Sequence, residues 1–408
     1  MHVSLDSALG RQRRLNSVGE SVLQIAPNAA AAYSLRSLTG GDPKVVRVRR
    51  EIDNAESDFT AAGISSGALT SFVNDIQTVG TAVNGTGSFD NYTVSNLSNT
   101  GFSADNSAGG TGSAGFPYVF KDEDILIVKY TVTNFSSTAS LSPQIRGVSA
   151  TNSVTGKTNS GTAFTANGTY TDVLTATADG THLMFADGNT GSYTISDFEI
   201  VSHSSSGFVE TWYDQSGNSK DATQATANLQ PKIVNAGSLL TDGIDFDGTD
   251  QVGLVTGSFS LTQAFTTFSV SHTDDASTSL GIWATAASAT SNFNVTALFR
   301  SDDGFAVNAG STLTTAGTID YVADRTYLQT NVVNGSSSSI FVDGATGKTG
   351  NAGSTNPSGV LIIGYFKSGA YFNLDGAIKE VIIYDSDQTS NRAALEANIA
   401  AANGVTLS

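Results

Sequence analysis

Three groups of side chains in this sequence have the types and spacing that chemistry can use. The first is a set of carboxylates close together in the chain, Glu210, Asp214 and Asp221. Hydrolysis of a glycosidic bond needs two carboxyl groups flanking it, about 5–5.5 Å apart in a retaining enzyme and wider in an inverting one. Asp214, however, stands directly before Gln215, Ser216 and Gly217, where an Asp commonly caps a turn through its own backbone. The second group is Asp242, Asp245, Asp247 and Asp250, a set of oxygen ligands that would suit a hard cation such as Ca²⁺. Their spacing is not that of an EF-hand, and turn formation around Gly243 and Gly248 competes for the same side chains. The pairs Asp274-Asp275 and Asp302-Asp303 are weaker versions of the same pattern. The third group is aromatic: Trp283, Tyr365, Phe366, Tyr371 and Phe372 lie near expected loops, where rings could form a platform for sugars. Packing into a core is the commoner use of such rings.

Other chemistries find no support. His2, His182, His203 and His272 lack the Gly-flanked Ser nucleophile of a catalytic triad. The Gly-rich tract lacks the Gly-Lys-Ser/Thr ending of a phosphate-binding loop. With no cysteine, the chain can form neither disulfide nor zinc–thiolate. A net charge of −17 argues against binding nucleic acid through a basic surface, and suits solubility and dense display on a particle.

The elements that must position these residues centre on Gly207–Gln224, GFVETWYDQSGNSKDATQ. Phe208 and Trp212 are an even spacing apart, with Glu210 between them, which predicts one face of an extended strand. Gly217 marks the turn that follows. A buried anchor strand leading into a surface loop is the expectation.

The residues Trp212, Tyr213, Asp214, Gln215, Ser216 and Gly217, followed by DATQ, resemble a motif of the arabinofuranosidase B catalytic-like module, a concanavalin A-type lectin sandwich. Ala31–Phe59, AAYSLRSLTGGDPKVVRVRREIDNAESDF, is similar to that family's opening segment. The resemblance covers roughly residues 28–79 and 207–403. It implies a concanavalin A-like fold, shared by fungal enzymes and by bacteriophage virion proteins. The family's catalytic carboxylates do not map onto this chain residue by residue, so the preserved part is the fold-forming part. The fungal relatives are disulfide-bonded, so this cysteine-free chain must hold its sandwich by packing alone. Gly376–Asp385, GAIKEVIIYD, resembles the last strand of laminin G-like and pentraxin-like sandwiches.

In chain order, residues 1–27 read as an N-terminal attachment arm, with Arg11, Arg13 and Arg14 as a basic cluster for an acidic neighbour and Val22–Ile25 as a short strand. Asn28–Leu38 reads as a helix capped by Asn28 and ended by Gly40-Gly41. Val46 and Val48 alternate with Arg47 and Arg49, as in a strand with one buried and one solvent face. Ser66–Gln77 places Leu69, Phe72, Val73 and Ile76 at helical spacing behind a Ser cap. A Gly/Ser/Asn/Thr-rich tract follows, punctuated by Phe89, Tyr92 and Phe102. Strands are then expected at Ile125–Asn134, Leu141–Ser149, Thr169–Thr177, His182–Ala186 and Ser192–Val201, with the rhythm of a carbohydrate-binding jelly roll.

After Gln224, strands are expected at Ile244–Gly248, ending in an Asp-Gly turn, and at Thr267–His272, Leu280–Ala284, Phe293–Phe299, Phe305–Asn308, Tyr327–Val333, Ile340–Asp343, Val360–Tyr365 and Ile378–Tyr384. Ile362–Gly376 reads as a hairpin with an aromatic tip. Ser390–Ala402 reads as a closing helix with Ser390 as cap, Leu395 and Ile399 inward and Gly404 as stop.

The fold expected is all-β: a concanavalin A-like β-sandwich (residues 28–84 and 204–408) with an inserted jelly roll (85–203) and few short helices. Insertion at an exposed loop is tolerated because the ends of a domain often lie close together. By resemblance, the function expected is that of a bacteriophage virion structural protein: a capsid decoration, a fibre or a tail appendage. Its expected partners are other virion proteins, copies of itself in a homotrimer or other symmetric oligomer, and host-surface or environmental polysaccharide, with no nucleic acid and no membrane insertion. No cofactor is expected beyond a structural Ca²⁺ at the Asp242 group. Met1–Gly10 lacks a basic-then-apolar start, so synthesis in the host cytoplasm and display on the virion surface are the expectation. The rival reading is a glycoside hydrolase, arabinofuranosidase-like or a polysaccharide depolymerase. A bacterial adhesin is a third, for which a signal peptide would be expected.

Overall fold

The computed structural model describes residues 19–84, 93–105, 112–136, 142–146, 157–160, 164–187, 191–249, 253–275, 277–302 and 304–408. Every strand pairing within them is antiparallel, and the chain forms two β bodies. The larger is a sandwich of two extended sheets. The first runs, strand by strand, through Ala345–Gly350, Ser338–Val342, Tyr327–Val333, Phe265–Ser271 and Asp375–Tyr384. Asp375–Tyr384 is long enough to take two partners on its other edge, Ala29–Ser34 on one half and Ile244–Asp247 on the other. The second sheet runs from Glu56–Thr60 through Lys44–Arg50, Gly207–Trp212, Ala222–Thr223, Leu254–Ser260, Ser358–Ile363, Leu280–Ala286 and Phe293–Phe299 to Phe305–Asn308 and Thr312–Thr314. Lys232–Asn235 joins the two, pairing with Gly207–Trp212 on one side and Ile244–Asp247 on the other.

Alternation explains what fills the space between. Tyr33, Val381 and Ile383 from the first sheet meet Val46, Val48, Val209 and Trp212 from the second in one buried cluster. Fully burying side chains of this size contributes roughly 1.5–3 kcal/mol each. The inner face of the first sheet also carries a polar seam. Asn331 donates to Thr267 Oγ1 (3.1 Å), and Gln329 donates to Asn331 Oδ1 (3.0 Å) and to the carbonyl of Ala306 across the sandwich (3.2 Å). The outer face of that sheet is covered by the Arg392–Asn403 helix, whose Leu395 and Ile399 pack on Phe268, Ile382 and Tyr384. Gly404, at φ 71, ends the helix in the left-handed conformation that its missing Cβ makes easy.

The inserted body is two five-stranded sheets. One has the order Lys157–Ser160, Ser142–Arg146, Gly180–Asp187, Gly112–Phe120, Val83–Asn84. The other is Gly168–Thr175, Ile125–Thr133, Ser192–Ser204, Phe102–Asp105, Thr93–Ser95. Along Ile125–Thr133 the buried residues are Leu126, Val128, Tyr130 and Val132, a strict period of two. Aromatics fill the centre; Phe116 and Phe198 stack at 3.9 Å between ring centroids.

Several expectations about local structure are corrected. Ala29–Ser34 is a strand, although its alanines favour helix: its backbone is taken by the ladder to Glu380–Tyr384, and tertiary pairing overrides a weak propensity. Asn28 has φ 67 and caps nothing. Val22–Ile25 is a helical turn, because the Gln24 side chain reaches back to accept from the Ser21 amide at 2.9 Å. Ser66–Gln77 is not one helix. Gly67, at φ 82, separates Ala61–Ser65 from Ala68–Val73, and Ile76 is exposed. A β-bulge between Val209 and Thr211 breaks the alternation of the anchor strand. Val209 and Trp212 therefore share the core, while Phe208 lies outside beneath Arg49. The arginine face of Lys44–Arg50 is covered as well as charged: Arg49 is buried and donates to Gln230 Oε1 at 2.7 Å. Arg50, next along the strand and so on the opposite face, is buried and paired with Asp53. The closing helix begins after Asn391 rather than at Ser390.

The domain limits also move. Val83–Asn84 pairs inside the inserted body, and Val79 packs on its core, so that body takes in residues assigned above to the first part of the main sandwich. Of the 1–27 arm, Val22 and Ala26 are buried against the closing helix and belong to the main body. Arg11, Arg13 and Arg14 lie outside the described residues. The two crossings into and out of the insert are neighbours, the Ser205 amide donating to Asn74 Oδ1 at 3.1 Å. Replacing residues 78–204 by a short Gly/Ser linker should therefore leave a main body that melts in one cooperative transition, read by circular dichroism. Loss of cooperative melting would show that the insert is needed for that fold.

Candidate functional site

The motif loop is occupied with the backbone of a distant segment. Asp214 Oδ1 accepts from the amides of Ala32 and Ser216, each at 2.9 Å. Its Oδ2 accepts from the Ser216 hydroxyl (2.7 Å) and the Lys220 amide (3.0 Å). Gln215 is buried and works at both ends of its amide: Nε2 donates to the carbonyls of Ser34 (3.0 Å) and Arg36 (2.9 Å), and Oε1 accepts from the Leu38 amide (2.8 Å). Asn218 donates to the Ala29 carbonyl (2.8 Å), and Asp221 accepts from the Asp214 amide (2.9 Å). The Tyr33 hydroxyl donates to the Lys220 carbonyl, and the Tyr33 ring lies 5.7 Å from that of Trp212. The opening segment and the motif loop are thus each other's partners, joined across the insert.

Asp58 is a second hub. It accepts from Lys44 (2.6 Å), Arg47 (2.8 Å) and the Tyr213 hydroxyl (2.6 Å). The Arg47 hydrogen bond holds its carboxyl well below the usual carboxylate range, against the effect of burial.

Asp214 and Asp221 are fixed by backbone amides, and Glu210 accepts from the hydroxyl of its neighbour Thr211. Beside the loop is an open polar groove of about 530 Å³, between Asn28–Ala30, Ser216–Lys220 and Ser258–Leu261. Lys220 Nζ in its wall donates to the Ser258 carbonyl at 2.7 Å.

The Asp242 group does not converge as a cation site. Asp242 is 3.8 Å from Lys379 Nζ, Asp247 Oδ1 accepts from the Thr249 amide at 2.9 Å, and Asp250 lies outside the described residues. Among the described residues no three His, Cys, Asp or Glu side chains come together as a metal site. Asp245 and Asp247 sit within paired backbone, Asp245 opposite Ala377 and Lys232 and Asp247 opposite Asp375. Asp242 and Asp245 instead line a cleft of about 250 Å³ with His272, Asp274 and Asp324, which come from separate loops that the sequence could not bring together. Burial, then Asp274, pushes Asp245 above its ordinary value.

The aromatic group is divided by the fold. Trp283, Tyr365 and Phe366 are buried and cannot present a face to a sugar; this corrects the platform as read. Tyr365–Ser368 and Ala370–Asn373 do form the expected hairpin. It folds its Phe366–Phe372 stack (4.6 Å) onto Phe293, Leu298 and Ala306. Only Tyr371 of the five is exposed, at 41%, with the Lys367 ammonium 4.9 Å from its ring centre.

No protein-family model matches the sequence, and no curated protein matches it. Parts of the chain are similar in architecture to solved β-sandwich structures. One is the Trypanosoma rangeli sialidase in complex with sialic acid, at 15% identity over 47% of this chain and 31% of that one, TM-score 0.33. Another is the heptameric SAP-like pentraxin of Limulus polyphemus, at 13% identity over 38% of this chain and 82% of that one, TM-score 0.31. A third is the Ruminococcus gnavus IT-sialidase CBM40 bound to α2,6 sialyllactose, at 8% identity over 38% and 96%, TM-score 0.29. The match thus spans about a third of the sialidase's own length.

The clasp and the Asp58 hub make two expectations. Asp214→Ala strands several donors, each costing about 1–3 kcal/mol where buried, so urea unfolding should show a loss of about 3 kcal/mol. Asp58 has a lowered folded-state pKa, so its contribution is present above the ordinary value of 3.8 and lost as pH falls below it. Asp58→Asn should therefore be less stable than wild type at neutral pH, and the two urea midpoints should converge in acid.

Proposed function

We propose that this chain is a non-catalytic structural protein of a bacteriophage particle, displayed on the virion surface and contacting glycans. The observation that carries the non-catalytic part is the state of the motif carboxylates. Asp214 and Asp221 hold backbone amides, so neither is free to serve as nucleophile or general acid. The virion assignment is supported by the resemblance of Ala31–Phe59 and Gly207–Gln224 to modules found in phage virion proteins. The net charge of −17 favours a soluble, densely displayed surface. Glycan contact is supported at the hairpin tip, where Tyr371 exposes its ring beside an ammonium group. Partners would be other virion proteins and further copies of this chain, since symmetric particles favour symmetric oligomers.

Mass spectrometry and antibody labelling of purified particles should find this chain in multiple copies, and its absence from particles would overturn the virion role. A glycan array should register binding that Tyr371→Ala removes; equal binding by the variant would discard the hairpin as the contact. Release of reducing ends from arabinan or host polysaccharide, abolished in Glu210→Gln, would establish the hydrolase instead.

A further inference from the structure

One sheet of the inserted body ends on Gly168–Thr175. This strand pairs residue for residue with Val132 back to Ile125, and among the described residues no strand lies on its other side. In an antiparallel ladder alternate residues point their N–H and C=O groups away from the partner, so an end strand of this length offers the backbone groups of about four residues to a neighbour. Gly168, Thr169, Thr171, Val173 and Thr175 are exposed.

Proteins blunt such edges with short strands, bulges, charges or a covering loop. Other edge strands of this chain carry those devices. Val83–Asn84, Thr93–Ser95 and Thr312–Thr314 are only two or three residues long. Lys157–Ser160 meets its partner with a register shift. Glu56–Thr60 includes Glu56 and Asp58, Ala345–Gly350 includes Lys348, and the motif loop covers Ala29–Ser34. Gly168–Thr175 has eight residues, no proline and an unshifted register. Its one ionisable carboxylate, Asp172, is turned inward and buried, where it accepts from the Tyr130 hydroxyl at 2.8 Å.

An apolar row on the outer face of the sheet runs out to this edge. Val173 is 62% exposed and lies opposite Ile127, and Val201, on the strand beyond, is 48% exposed. The charges nearest the row on that face, Lys129 and Glu199, match each other at 3.0 Å. In a chain of net charge −17, most surfaces would repel a second copy. This edge presents backbone, hydroxyls and one valine instead.

We propose that Gly168–Thr175 is a self-pairing edge, through which two copies of this chain join antiparallel about a two-fold axis at Val173 and run their sheets together. Val173 then faces Val173 of the copy, Thr171 faces Thr175, and Asp172 faces Leu174. The two apolar rows become continuous across the axis. An axis at Asp172 would instead set two buried carboxylates side by side, which disfavours that register. A contact of this kind uses the same patch on both copies and closes at two. It names a surface for the copies invoked above but does not depend on the virion assignment, since it is read on the purified chain in solution.

The absence of cysteine lets single cysteines report the register. Directly opposed residues of an antiparallel pair have Cα atoms about 4.5–5.5 Å apart, within reach of a disulfide. Under mild oxidation Val173→Cys should become a disulfide-linked dimer on a non-reducing gel. Thr171→Cys, roughly 13 Å along the strand from its own counterpart, should stay unlinked alone and cross-link when mixed with Thr175→Cys. Sedimentation of the wild type over a concentration series should show a monomer–dimer equilibrium. Val173→Lys, at an exposed position, should shift it to monomer while melting as the wild type does. An oligomer that Val173→Lys leaves intact would overturn the proposal, as would Thr171→Cys linking to itself as fast as Val173→Cys. A wild type that stays monomeric throughout would also overturn it, leaving the edge to a strand of another protein.

Discussion

The clasp between Asp214–Gln215 and the backbone of Ala32–Leu38 is the constraint on which the main body rests. Ala29–Ser34 is an edge strand made largely of alanine, with little side-chain area to hold it in place. Its ladder to Asp375–Tyr384 satisfies one edge. The other edge would face water or a foreign strand, and the motif loop occupies it instead. Buried peptide groups without partners cost about 1–3 kcal/mol each, so a loop that matches several at once is worth more than its size suggests.

The same segment carries the strain of the opposite face. Arg36 makes a two-point contact with the buried Glu380, at 2.9 Å for both bonds, and also donates to Asn398 of the closing helix (3.0 Å). Ser34 donates to Glu380 as well, at 3.0 Å. A buried carboxylate needs such a partner set, and removing one member of a buried pair leaves an uncompensated charge. The opening segment therefore links the motif loop on one side to the helix on the other. Chain ends separated by the whole insert are held as one body.

The residues of the motif loop build the edge of a sandwich, and Asp214 and Asp221 already have backbone partners. Fold and function are separable, so the sandwich by itself assigns no activity. The main body carries a second sandwich between its opening segment and its motif loop, and a hairpin whose aromatic face is mostly turned inward.

How much was legible in the sequence follows from what each signal depends on. Runs of β-branched and aromatic residues between turn residues are a local signal, so strands such as Phe293–Phe299, Phe305–Asn308 and Tyr327–Val333 appear at their expected bounds, as does the turn at Asp214. Absence of cysteine and the negative charge are fixed by composition alone. Ala29–Ser34 defeated local reading because its conformation is set by Glu380–Tyr384, far along the chain. Trp283 and Tyr365 were read as surface rings because sequence gives the type of a residue but not the layer that will cover it. The acidic cleft lined by Asp245, His272 and Asp324 depends on loops from different strands meeting in space. The sequence by itself determined which stretches alternate and which side chains can bond to backbone. Only the tertiary structure decided which of them meet, because hydrogen bonding and charge act over a few ångströms whatever the separation along the chain.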